Sequence, residues 1–315
     1  MNFDYTELIK NTYNDNVCFN YLEHVGSYPE GKEKFILKGV KNIDVFTNEK
    51  TSEIVLKANF PYYIQGHNFR FTKAGMIEAI QLSSEYLNLN LFQAEMKKFE
   101  FGSIIEIDYN VDEFLMNHIS IKGKNTQPFY TNNKLTGKYF EDSIIKHKLY
   151  DVGVNLKSKL DKAIRDDLSN KYGYDKAKHY LKIENHYKKP EIHFKHRNLL
   201  VNEVLNDNFM TKCKEDLINT YKTIMKTGIV KLPTNKKDLN AGTFPLIVLK
   251  ELESLFDFNS EELIKLKIKS IPESILTKDD KKARLSMMKT NFSKIRKANE
   301  SHYDITSKLE EVKCS

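Results

Sequence analysis

From Cys18 to Asn68 the chain runs through short alternating apolar and polar segments, CFNYLEHV, EKFILKG, EIVLKANF and YYIQGHN, broken by Gly and Pro. Alternation of this period between turn residues predicts the strands of an antiparallel meander. The period then changes. Thr72 is an N-cap candidate, and Ala74, Ile77, Ile80 and Leu82 recur at helical spacing, which predicts a helix over 72–87. Strand character returns over 92–107. Residues 121–143, rich in Asn, Thr, Lys and Gly, read as a loop with one short strand near Tyr139. A strand is predicted over 143–150, a helix over 154–170, where Leu156, Leu160, Ile164 and Leu168 fall every four residues, and a strand over 179–187, ahead of Pro190.

Beyond Leu200 the pattern is helical almost throughout, as in NFMTKCKEDLINTYKTIM, FPLIVLKELESLF, SEELIKLKIKSI and KDDKKARLSMMKTNFSKIRKANE. This switch predicts a domain boundary. Residues 1–200 are expected to form an α+β domain, an antiparallel sheet with helices on one face, and residues 201–315 an all-helical C-terminal domain.

Composition bounds the class. The chain has 315 residues, 40% hydrophobic and 30% charged, enough to bury a sizeable core and unlike a disordered sequence. Formal charge is uneven, at −6 over 1–120, +9 over 121–200 and +4 over the rest, so the centre is where a polyanion would sit. Three scattered cysteines, Cys18, Cys213 and Cys314, support neither a disulfide framework nor a Cys-based zinc site, and a reduced, cytoplasmic setting is expected. The first residues do not read as a signal peptide, and no apolar run of about 18 residues predicts a membrane span. Without a Walker loop or a G-x-G-x-x-G segment, nothing predicts a nucleotide-driven motor.

Strand alternation sorts the candidate chemistry by face. Lys98, Glu100 and Gly102 share one side of the KFEF strand. Lys146, Lys148 and Tyr150 share a side of the KLYD strand, opposite His147. Lys182, Glu184 and His186 share a side of the YLKIEN strand. Two carboxylates, a tyrosine and several lysines are thus able to converge on one sheet face, although a sheet with one wet face gives the same alternation.

The ordered set QGHN (65–68), helix, KFEF (98–101), KLYD (148–151), helix and YLKIEN (180–185) resembles that of rolling-circle replication initiators, specifically the filamentous-phage gene II replication proteins. More distantly it is similar to the Rep_trans plasmid initiators. The resemblance covers residues 50–200 and implies an HUH-endonuclease-like core with Tyr150 as the nucleophile, assisted by Lys148 and Lys157. It further implies a divalent cation, Mg²⁺ or Mn²⁺, held by Glu100, Glu184 and His67, and DNA contacts from Gln65, Asn68, Lys146, Lys159 and Lys182. The usual His-hydrophobic-His motif is absent, and Val152 stands where plasmid relatives carry lysine.

On that resemblance the chain is expected to nick and rejoin single-stranded or supercoiled origin DNA through a 5′-phosphotyrosine, with a host helicase and polymerase as partners and no membrane. A plasmid-mobilisation relaxase and a non-enzymatic DNA-binding regulator are the alternatives. Three weaker readings accompany it: a zinc site from His179, His186, His193 and His196; a second nucleophile among Tyr172, Tyr174 and Tyr180; and an origin-binding surface on the basic C-terminal helix.

Overall fold

A computed structural model of the chain describes every residue except 14, 49, 161, 227–244, 247, 250, 251, 253–259, 299–303 and 315, and omits the side chains of 2, 158, 159, 162, 163, 167 and 293–298. The chain forms two compact units. One comprises residues 1–115, 121–223 and 305–315, the other residues 116–120 and 224–304.

The strands are β1 (Asn2–Asn11), β2 (Leu22–Tyr28), β3 (Lys32–Leu37), β4 (Ile43–Asn48), β5 (Glu53–Asn59), β6 (Glu95–Ile107), β7 (His118–Ser120), β8 (Asn125–Thr131), β9 (Lys134–Glu141), β10 (Ile145–Asp151) and β11 (His179–Tyr187). All but β7 join one antiparallel sheet of the first unit, in the order β2-β3-β4-β5-β1-β6-β11-β10-β9-β8. The predicted meander is the β2–β5 edge, in which β4 is a strand that was not predicted. β1, for which no strand was predicted, lies at the centre between β5 and β6 and joins the meander to the motif strands. The polar 121–143 stretch is a full hairpin, β8–β9, rather than a loop with one short strand.

The helices are α1 (Phe60–Gln65), α2 (Lys73–Leu87), α3 (Val111–Asn117), α4 (Val152–Lys159), α5 (Lys162–Tyr172), α6 (Pro190–His193), α7 (Val201–Val204) and α8 (Asp207–Lys222), followed by Ser260–Ser270, Lys278–Ala298 and Thr306–Glu311. Thr72 caps α2 as predicted, its side chain accepting from the Gly75 N–H at 3.2 Å. YYIQGHN is not a strand. Pro61 sits in the first turn of α1, where its missing N–H costs nothing, and Gly66 ends the helix in the left-handed region at φ 76°. The predicted helix over 154–170 is two, because Leu160 turns extended between α4 and α5.

Helices pack on both faces of the sheet, not on one. On one face Phe3, Phe99 and Phe101 meet edge to face, with Phe3 5.6 and 5.2 Å from the other two rings, and Tyr187 packs on Phe194 beyond α6. α8 joins that face through Asp216, which accepts from Asn185 and Tyr187 at 3.0 and 2.8 Å. On the other face Val152 and Leu156 of α4, Leu168 of α5 and Phe69 bury Tyr180 of β11.

The first unit runs on to Thr223 rather than ending near residue 200. Met210, Cys213, Leu217 and Tyr221 line one buried stripe of α8, and a helical period does not say which unit buries it. In the second unit β7 pairs with Met225–Lys226, and Met288 and Phe292 form a core with Leu246. Among the described residues no helix is long and apolar enough to cross a membrane.

Candidate functional site

Strand register builds the site. Lys148 of β10 lies opposite Glu184 of β11, Tyr150 opposite Lys182, and Lys146 opposite His186. On the other side of β11, Glu184 faces Gly102 of β6 and His186 faces Glu100. The residues that alternation places on one side of each motif strand therefore share one face of the sheet.

A bulge in β1 adds a third carboxylate. Phe3 pairs with Phe101 and Thr6 with Phe99, which leaves Asp4 and Tyr5 together opposite Glu100. Two residues against one is the β-bulge geometry, which re-aims a side chain. Here it delivers Asp4, whose carboxylate oxygen lies within 4.8 Å of oxygens of Glu100 and Glu184. Asp4 is not among the residues expected from the sequence. No strand was predicted over β1, NFDYTELIKN, and nothing in its sequence sets Asp4 apart from Glu7 as the carboxylate that a bulge turns toward the site.

Two lysines hold the three carboxylates. Lys182, 1% exposed, bonds Asp4 and lies 3.4 Å from Glu184. Lys148 donates to Glu100 and, at 3.1 Å, to Glu184. Burial alone would raise the Glu184 pKa, but Lys148 and Lys182 outweigh it and hold the carboxyl down at about 2. Burial and the Glu184 charge raise Glu100 to about 7 against the pull of Lys148. Asp4 is raised by burial, against Lys182. His186, whose Nδ1 is 3.3 Å from Glu100, is pushed down to about 4 by burial and Lys148, and is therefore neutral at pH 7.

Asp4 and Glu184 are 4% and 1% exposed, yet Asp4 Oδ1 accepts no hydrogen bond and Glu184 Oε2 has only the Lys182 ammonium at 3.4 Å. A buried carboxylate oxygen left without a partner is costly and marks a missing one. An all-oxygen donor set suits a hard divalent cation such as Mg²⁺ or Mn²⁺, so the residues fit the cation expected from the sequence, with Asp4 in the set.

The cluster opens into a cavity of about 730 Å³ whose lining includes Tyr150, Tyr62, Asn59 and Phe129. Its charged lining is Asp4, Glu7, Glu100, Asp151 and Glu184 with Lys57, Lys98 and Lys148, and Lys182 lies beneath against Asp4 and Glu184. Burial first, then Glu184, Asp4 and Glu100, push the Tyr150 phenol well above its ordinary pKa.

The QGHN segment does other work than was expected of it. His67 is buried outside the cavity lining, its Nδ1 accepting the Phe69 N–H at 3.2 Å and its ring 4.6 Å from Tyr172. It does not join the carboxylates. Gln65 Nε2 donates to the carbonyls of His67 and Phe69 at 3.1 and 3.0 Å and so holds the turn. Asn68 donates to Asp4 Oδ2 at 3.1 Å, which positions the carboxylate that β1 supplies.

Among the lysines, Lys182 is sealed beneath the cluster and offers no DNA contact. Lys146 pairs with Glu141 at 3.1 Å and covers the Tyr139 ring. Lys157 is exposed on α4, outside the cavity lining, and the Lys159 side chain lies outside the described residues. Tyr174 and Tyr180 belong to the apolar cluster around Phe69, with Tyr172 packed against it, so none of the three reaches the carboxylates. The four histidines do not converge: His186 meets Glu100, whereas His193 meets Asp216 at 3.0 Å on the opposite face.

No family model, no curated protein and no solved structure matches the chain.

Proposed function

We propose that this chain is a metal-dependent DNA strand transferase that nicks and rejoins origin DNA to start rolling-circle replication of a phage or small plasmid. The observation that carries the reading is that Tyr150 shares one cavity with the Asp4, Glu100 and Glu184 carboxylates. When bound, Mg²⁺ or Mn²⁺ would polarise the scissile phosphate and offset the carboxylate charge.

The rest of the chemistry belongs to the chain. The Tyr150 oxygen attacks phosphorus, the bond to the 3′-oxygen breaks, and the phenolic proton is balanced by the proton the 3′-hydroxyl takes up. The product is a 5′-phosphotyrosine with a free 3′-end for a polymerase, and reversal rejoins the strand. Lys148 and Lys182 hold Glu100, Asp4 and Glu184 in place before substrate arrives. Lys57 and Lys98, both paired with Glu7 and about 40% exposed at their side chains, supply cations at the cavity wall for neighbouring phosphates. A host helicase would unwind ahead of the nick.

The raised Tyr150 pKa favours a second reading, in which water is the nucleophile and the product is a plain nick. Both readings are tested by incubating the protein with supercoiled DNA of the replicon that encodes it, with and without Mn²⁺. Open circles are expected from wild type with Mn²⁺, and none with EDTA or from Glu184→Gln. Intact supercoils from wild type, on DNA that the protein binds, would exclude both.

A further inference from the structure

The cavity wall includes a tyrosine that takes no part in the nicking chemistry. Tyr62, on α1, lines the cavity, and its hydroxyl is buried without a hydrogen-bond partner. The same cavity lining carries Asp4, whose Oδ1 is also buried without a partner, together with Glu184 and Tyr150. Asn59 Oδ1, from the end of β5 that leads into α1, and His186 Nε2 are further unpartnered polar atoms of the same lining. A tyrosine hydroxyl buried without a partner costs stability that phenylalanine would not. Pro61 in the first turn and the left-handed Gly66 define α1 at both ends and so fix the backbone that carries Tyr62.

We infer that Tyr62 is a ligand-contacting residue, whose hydroxyl donates a hydrogen bond to an oxygen that the divalent cation carries into the cavity. That oxygen is either a water on the cation or a phosphate oxygen of the bound strand. The inference rests on the reading of Asp4, Glu100 and Glu184 as a cation site. It needs no tyrosine chemistry, and it holds for transferase and hydrolase alike.

The test is Tyr62→Phe, read by melting temperature without metal, by Mn²⁺ titration, and by anisotropy of a labelled single-stranded oligonucleotide with Mn²⁺. The melting temperature should stay level or rise, because the variant deletes an unsatisfied hydroxyl. Affinity should fall about tenfold, the size of one hydrogen bond to a polarised oxygen. A loss already seen with Mn²⁺ alone identifies the cation's water as acceptor, and a loss seen only with the oligonucleotide identifies the phosphate. Unchanged affinity for both, in a variant beside a wild type that binds both, overturns the inference alone. A lowered melting temperature overturns it too, since the hydroxyl would then have a partner within the fold. No Mn²⁺ binding by wild type would remove the cation site and this inference with it.

Discussion

Glu184 sits directly across the sheet from Gly102, so closely that a β-carbon at residue 102 would lie 2.5 Å from the Glu184 Cβ and 2.2 Å from the Ile183 carbonyl oxygen. Neither contact is tolerable, and both obstacles belong to the site strand rather than to a flexible tip. Gly102→Ala should therefore push β11 away from β6, costing about 1–3 kcal/mol of stability by overpacking. It should also weaken Mn²⁺ binding, because Glu184 moves relative to Glu100. Urea unfolding and a metal titration of the same variant check both effects.

Lys182 makes a second demand. It is sealed between Asp4 and Glu184, and Lys182→Met leaves buried Asp4 without a cation and Glu184 with Lys148 alone. Breaking a buried pair in this way costs about 3–5 kcal/mol. If the cluster binds a divalent ion, saturating Mn²⁺ should restore much of the loss, because a ligand that binds only the native state stabilises it by mass action. Thermal melts with and without Mn²⁺ measure the difference, and an equal deficit in both would count against the cation site.

Glu100 sets a pH dependence. Its carboxyl is raised from 4.5 to about 7, so the folded protein holds this proton more tightly than the unfolded chain does. Its contribution to stability therefore declines as pH rises from 4.5 to 7. A cation must displace the proton, so Mn²⁺ affinity should climb by up to about tenfold per pH unit below 7 and level off above it. Glu100→Gln should lower the affinity and flatten the rise.

His147 tests the opposite face. It is fully buried, donates from Nδ1 to Asn185 Oδ1 at 2.6 Å, and is lowered from 6.5 to about 4, chiefly by burial. The unfolded chain binds this proton more readily, so the His147 contribution is complete above pH 6.5 and is lost as pH falls toward 4. At full size the loss is about 3 kcal/mol. Because Glu100 changes in the opposite sense over much of this window, the comparison is with a neutral isostere: the urea midpoint of His147→Gln should gain on that of wild type as pH falls from 6.5 toward 4, and a constant difference would contradict the assignment.

The motif strands were legible because alternation names a face and antiparallel pairing preserves it. Glu100, Glu184, Lys148 and Tyr150 came from that rule, and β6, β10 and β11 do carry them on one side of the sheet. Asp4 was not legible, because no strand was predicted over β1 and the bulge that presents Asp4 depends on how β1 pairs with β6. Asn68 and Gln65 were noticed for their motif, but which acceptor an amide meets depends on how the turn after α1 docks against β1. α1 itself was hidden because FPYYIQ is aromatic and β-prone, and only Pro61 and Gly66 marked it as one short helix. α8 was legible as a helix but not as part of the first unit.

The most direct test of the account is a covalent one. The protein would be incubated with supercoiled DNA of its own replicon and Mn²⁺, stopped with SDS, and assayed for DNA-linked protein in wild type and Tyr150→Phe. The account predicts a metal-dependent adduct in wild type that disappears in Tyr150→Phe. An adduct that persists in the variant, or metal-dependent nicking with no adduct in wild type, would contradict Tyr150 as the nucleophile.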